Sequence, residues 1–178
     1  MTLSITRVQK QYEKLVALLK ERGLTLSAME SCTGGLVSSL ITDVSGSSEV
    51  FPGGFVTYSN AAKVMQHVSA EVIRKYGVYS EETAVSMARA AAFTMNTELG
   101  IGITGSAGRK DPANADSVPG KICIGVYWKN VTDDVAGKTA CGSLTVAPGD
   151  DSPAGRRKIK MAAALEAACL VCKMLENQ

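Results

Sequence analysis

An apolar run at residues 24–28 gives way to Glu30-Ser31-Cys32-Thr33-Gly34-Gly35, and then to the helical spacing of Leu36, Val37, Leu40 and Ile41. This passage constrains the fold more than any other. A strand that turns through hydroxyl and glycine residues straight into a helix is the unit of layered α/β folds. It also aims backbone N–H groups and a serine at whatever docks there.

The flanking patterns extend the unit. Val8, Tyr12, Leu15, Val16 and Leu19 recur at helical spacing and Gly23 sits where a cap would, so a helix precedes the strand at 25–30. The second helix runs to about Asp43, residues 45–48 read as loop, and 53–58 read as a second strand. Ser59 and Asn60 open a short helix through Lys63 to about Val68, and a further helical piece at 70–76 ends at Gly77. Ser80 caps the next helix, with Glu81 and Glu82 in its first turn. Ala84, Ala88, Ala91, Met95 and Leu99 form its expected buried stripe, and the alanines imply close packing on a sheet. A buried strand at 101–105 breaks into the polar segment 106–119. Strands at 121–128 and 138–146 follow, and Met161, Leu165, Ala168, Cys172 and Leu175 mark a long last helix. The alternation predicts a layered α/β fold with a mixed sheet between helices, in one domain over residues 1–178. Ligands of such folds sit at the carboxyl ends of strands, where loops 30–35, 57–63 and 104–119 could meet.

Composition removes several functions. A formal charge of +2, with no basic stripe between aromatics, argues against nucleic acid. No apolar run approaches the roughly 20 residues that span a bilayer, and residues 1–13 are too polar for a signal peptide. A cytoplasmic protein without membrane contact is expected. The cysteines at 32, 123, 141, 169 and 172 read as reduced thiols, with Cys169 and Cys172 packing one helical turn apart. One histidine and no cysteine cluster leave no His-rich zinc site, and no motif supports a carboxylate-held Mg²⁺. Neither metal nor cofactor is expected.

Ser31 can act as a nucleophile only if a neighbour takes its proton. His67 is the single histidine and lies on a helical face beside Val64 and Val68. A lysine with a lowered pKa is the other candidate base. Lys63 lies one turn past Ser59 and Asn60, and Tyr58 ends the strand before it, so both could enter one site. Cys32 is a rival nucleophile, ranked second because the strand pleat sends neighbours to opposite sides. Thr33, Gly34 and Gly35 could hold an oxyanion or phosphate, as could Thr104-Gly105-Ser106-Ala107-Gly108. The cations Arg156, Arg157, Lys158 and Lys160 read as a solvated face.

Six passages occur in one order: Glu30 to Gly35, Gly46 to Phe51, Gly53 to Asn60 with Lys63, Gly77 to Glu82, Thr104 to Gly108, and Pro119-Gly120-Lys121. As a set they resemble the CinA C-terminal domain family, the nicotinamide mononucleotide deamidases, over nearly the whole chain. The resemblance implies a three-layer α/β/α sandwich that hydrolyses the nicotinamide amide in NAD salvage, the pyridine nucleotide cycle. It implies Ser31, Tyr58 and Lys63 as catalytic residues. Glu30, Thr33, Gly34, Gly35, Ser48, Asn60, Thr104 and Gly105 are the matching substrate-binding candidates. The family often carries a second domain related to molybdopterin-binding proteins, and this chain resembles the form without it. Two passages depart from the pattern. Residues 109–116 are charged where the family has proline and glycines, and 149–157 replace a compact acidic–basic run. Amide hydrolysis is thus better supported than the substrate. A non-catalytic nucleotide-binding module and a metal-dependent nucleotide phosphohydrolase stay open. The Ala- and Cys-rich last helix suits a homo-oligomer or a sheet equally.

Overall fold

The structure is a computed structural model that describes residues 4–114, 117–129, 137–146 and 151–177. Helix α1 (Ile5–Arg22) starts at Ser4, whose side chain accepts from the Arg7 amide, and closes at Gly23 in the left-handed region. All five residues of its expected stripe are buried. Strand β1 (Leu26–Glu30) and helix α2 (Leu36–Thr42) follow, then a 3₁₀ turn at Ser47–Glu49 within the expected loop. Next come β2 (Gly53–Val56), α3 (Asn60–Met65), α4 (Ala70–Tyr76), α5 (Glu81–Met95) and β3 (Leu99–Gly105). The chain ends with β4 (Lys121–Trp128), β5 (Lys138–Thr145) and α6 (Pro153–Glu176).

The five strands form one mixed sheet in the order β2-β1-β3-β4-β5. β1 is parallel to β2 and β3, while β4 is antiparallel to both β3 and β5. The strand pleat sorts side chains between two helical layers. Leu99, Ile101 and Ile103 join the core formed with α1 and α6, where Tyr12 Oη donates to the Ala164 carbonyl at 2.9 Å. The alternate residues, Gly100 and Gly102, face α5. A Cβ on Gly102 would fall 2.0 Å from the Ala84 carbonyl oxygen, and one on Gly125 would fall 2.4 Å from Ala84 backbone. Alanines on the helix and glycines on the sheet therefore bring the two backbones together. This is the close packing read from the alanine stripe, and the sandwich has its three layers.

Several boundaries differ from the sequence reading, each for a local reason. β2 stops at Val56, because Ser59 turns outward to cap α3 by accepting from the Ala62 amide. α5 ends at Asn96 with φ 52°, so Leu99 opens β3 instead of closing the helical stripe. α6 begins at Pro153, capped by Ser152, three residues before the basic cluster. β4 and β5 pair as expected, and residues 130–136 of their connection lie outside the described residues. No helix among the described residues is long and apolar enough to cross a membrane.

Candidate active site

The pleat that sorts the core also sorts the turn after β1. Glu30 lies on the face of Leu26 and Ala28, toward α2, and Ser31 falls on the other face, toward α3. Glu30 is fully buried and accepts from the amides of Gly35 (3.0 Å), Val37 (3.1 Å) and Ser38 (2.8 Å) and from Ser38 Oγ (2.8 Å). Gly34 and Gly35 have φ of 63° and 93°, a left-handed pair that turns the chain back so that α2 starts over this carboxylate. Gly35 itself supplies no side-chain cap. Glu30 caps the helix from five residues upstream, and its negative charge suits the helix start.

The sheet ladder holds Ser31 and Thr57 beyond the ends of their strands. The Ser31 amide donates to the Ile103 carbonyl at 2.9 Å, and the Thr57 amide donates to the Glu30 carbonyl at 2.8 Å. One turn into α3, Lys63 is buried at 1% exposure and its side chain returns beneath β2. Its Nζ donates to Ser31 Oγ at 3.0 Å and to the Thr57 carbonyl at 2.9 Å. Burial in this setting lowers the Lys63 pKa from 10.5 to about 8, against a smaller opposing influence of Cys32. A base with that pKa is partly neutral near physiological pH.

Cys32 is buried among the apolar residues beneath α2, and burial pushes its thiol up to about 12. A thiol that keeps its proton is a poor nucleophile. Of the adjacent pair, Ser31 is the one whose side chain contacts a lysine of lowered pKa. His67 is exposed at the end of α3, with φ 66°, and does not line the cavity beside Ser31.

That cavity, of about 250 Å³, opens where the carboxyl ends of β1, β2 and β3 meet. The parallel crossovers leave this region toward opposite faces of the sheet, as at the binding crevices of open α/β sheets. Ser31, Cys32, Tyr58 and Gly105 line it, together with Ser106, Ala107 and Gly108. Tyr58 is 67% exposed, and among the described residues its hydroxyl bonds neither Ser31 nor Lys63.

Most of the other expected binding residues are engaged elsewhere. The Gly34 amide donates to the Ser31 carbonyl and the Gly35 amide to Glu30, so neither is free to hold an oxyanion. Thr104 is buried and donates to the Val78 carbonyl at 2.8 Å, tying β3 to the start of α5. Asn60 is exposed and donates to Asn114 Oδ1 at 3.1 Å. Ser48 stands on the 3₁₀ turn at the amino end of the sheet, where the Val50 carbonyl accepts from Leu26, and the cavity is at the other end. Thr33 is buried, and among the described residues its Oγ1, like that of Thr57, has no hydrogen-bond partner.

The sequence reading missed three lining residues. Tyr79 donates to Asp111 Oδ2 at 2.7 Å, and this bond, with others from Asn114 and the Ala113 amide, holds the Asp111 carboxyl below the usual carboxylate range. Arg156 is the third, on the inner side of α6. Helical phase splits the basic cluster: Arg157 and Lys158 are exposed, Ile159 is buried, and Arg156 and Lys160 are half-buried. The i, i+4 spacing of Arg156 and Lys160 was the available signal.

The CinA C-terminal domain family model matches residues 8–146. The chain belongs to that family. A CinA-like protein of Kosmotoga olearia is 42% identical over 164 residues, covering 92% of this chain and 36% of that protein. A CinA-like protein of Dictyoglomus turgidum is 40% identical over 116 residues, covering 65% of this chain and 28% of that protein. The chain thus spans about a third of the length of these curated relatives. Among solved structures, a competence/damage inducible protein from Agrobacterium tumefaciens superposes with a TM-score of 0.81 at 28% identity, covering 100% of both chains. A CinA superfamily protein from Klebsiella pneumoniae superposes at 0.83 with 20% identity, covering 96% of this chain and 99% of that one, which speaks for the CinA fold alone.

Proposed function

We propose that this CinA domain is an amidohydrolase that converts nicotinamide mononucleotide to nicotinic acid mononucleotide and ammonia. Ser31 is the nucleophile and Lys63 its base. The observation that carries this reading is the buried 3.0 Å contact between Lys63 Nζ and Ser31 Oγ. With a pKa near 8, about one lysine in ten is neutral at pH 7. The neutral amine still donates to the Thr57 carbonyl and accepts the seryl proton along the same contact. Ser31 Oγ bonds to the carboxamide carbon, and the protonated lysine returns its proton to the departing nitrogen, which leaves as ammonia. Water then attacks the acyl-serine, giving one proton back to Ser31 through Lys63 and leaving the carboxylate product.

The Gly34 and Gly35 amides are engaged, so the amides of Cys32 and Thr33, next to Ser31 in the turn, are the donors assigned to the oxyanion. Tyr58 and Tyr79, with the Asp111 carboxylate, offer aromatic faces and negative charge to a pyridinium ring. Arg109 and Arg156 offer forked donors to a phosphate. Tyr58 contacts substrate in this reading and does not relay the seryl proton.

Incubation with nicotinamide mononucleotide, following ammonia and nicotinic acid mononucleotide together, tests the proposal. One-to-one formation of the two, unaffected by a chelator, is expected. Tight binding without turnover would favour a non-catalytic nucleotide-binding module. Phosphate release abolished by the chelator would favour the metal-dependent phosphohydrolase.

A further inference from the structure

The described residues 109–114 and 151–157, from the two passages in which the sequence departs from the family pattern, meet at the rim of the cavity. Asp151 bridges them. One carboxylate oxygen accepts from Arg109 Nε at 2.5 Å, and the other pairs with an Arg156 guanidinium nitrogen at 3.3 Å. Gly108 lies beneath: a Cβ there would run into both the Arg156 guanidinium and Asp151 Oδ1. A side chain at position 108 would thus separate the arginine from its carboxylate. The bridge is a surface feature, with Arg109, Arg156 and Asp151 at 85%, 38% and 32% side-chain exposure. Exposed pairs of this kind exchange readily with solvent and with competing ions.

Lys160, one turn after Arg156, places its Nζ about 3.3 Å from where a Cβ on Gly34 would stand, and among the described residues it makes no ion pair. Arg109 and Arg156 share one carboxylate, Asp151, while Lys160 stands apart beside Gly34. Asp111, the other carboxylate of the cavity, is engaged by Tyr79 and Asn114. Once freed of Asp151, the two guanidiniums match a phosphate monoester, which carries about −1.5 to −2 at pH 7. Arg109 and its hydrogen bond are the leading cause of a lowered Asp151 pKa, so the carboxylate stays charged and competes for the arginines throughout the neutral range.

We propose that Asp151 is a resident anion: it occupies the Arg109–Arg156 pair until the phosphate of a substrate displaces it, and the rim thereby selects phosphate-bearing substrates over their nucleosides. The identity of the substrate rests on the deamidase reading; the anion site does not.

The test is Asp151→Asn in the full chain, with Asp151→Ala as a second variant that cannot bridge the arginines. Calorimetry with inorganic phosphate reads the site without turnover. The dissociation constant is expected to fall about three- to tenfold in both variants, as when one or two exposed ion pairs are removed from competition. In the ammonia assay the ratio of kcat/KM for nicotinamide mononucleotide over nicotinamide riboside should rise by the same factor. Unchanged or weaker phosphate binding in both variants would make Asp151 a scaffold and overturn the proposal. Tighter phosphate binding with an unchanged ratio would separate the anion site from the substrate and overturn the selection. If the wild-type chain releases no ammonia from either compound, the deamidase reading fails, and the phosphate measurement still decides the role of Asp151.

Discussion

The two ends of the cavity are built on opposite principles. At the inner end, Ser31 and Lys63 are buried, and Ser31 and Thr57 are fixed by the ladder of the sheet. At the rim, Arg109, Asp111, Asp151 and Arg156 come from a loop and a helix start and are partly or largely exposed; Asp151 pairs with both arginines, and Asp111 is held by Tyr79 and Asn114. Burial makes the inner end stiff and shifts the lysine pKa. Exposure leaves the rim exchangeable. In the proposed reading, chemistry is set where the structure has few alternatives, and substrate choice where it has many.

The comparison breaks most visibly at Ser31. Ser31→Ala should lower kcat for ammonia release by about 10⁴-fold or more, with an unchanged circular dichroism spectrum. A smaller loss would move the nucleophile elsewhere. Lys63→Met should cost about 10²–10⁴ in kcat yet raise resistance to urea at pH 7, because a buried ammonium leaves the fold. The sign follows from linkage. Lys63 ionises near 8 in the fold and at 10.5 ordinarily, so between those values the unfolded chain holds one more proton. Wild-type stability should therefore rise across that window, by up to about 3 kcal/mol, relative to Lys63→Met measured alongside. A constant difference between the two would mean that the lysine is not desolvated.

Smaller effects sharpen the contrast. Asp111→Asn should raise KM for the mononucleotide about three- to tenfold with little change in kcat; an equal loss in kcat would place Asp111 in the chemistry. Glu30→Gln should lower stability by about 1–2 kcal/mol by weakening the start of α2, and urea denaturation reads this directly. Cys32→Ala should cost about 1 kcal/mol of packing and leave kcat/KM within about threefold, whereas a loss like that of Ser31→Ala would promote the thiol.

Much of the inner end was legible in sequence because it rests on short-range rules. Period and caps gave the helices, the alanine stripe gave the contact with the sheet, and Lys63 falls one turn past Ser59 and Asn60, with Tyr58 just before them. The strand pleat also separates Ser31 from its neighbours, but it was applied to Cys32 and not to Glu30. The family resemblance implies Glu30 as a substrate contact, whereas in the fold it caps α2. Gly34 and Gly35 looked like anion donors, although the tight turn they form spends both amides internally. The rim was mostly illegible. Asp111, Asp151 and Arg156 acquire their neighbours through contacts such as the one between residues 109 and 151, which no local pattern encodes. Ser48 shows the converse: a passage within an ordered motif can lie at the far end of the sheet.

The pH dependence of kcat/KM for ammonia release tests the pairing of Ser31 with a neutral Lys63 most directly. With a neutral Lys63 as the base, the rate should climb about tenfold per pH unit from pH 6 and level off near the lysine value of about 8. A flat profile, or a limb centred near 6.5 as for a histidine, would contradict it.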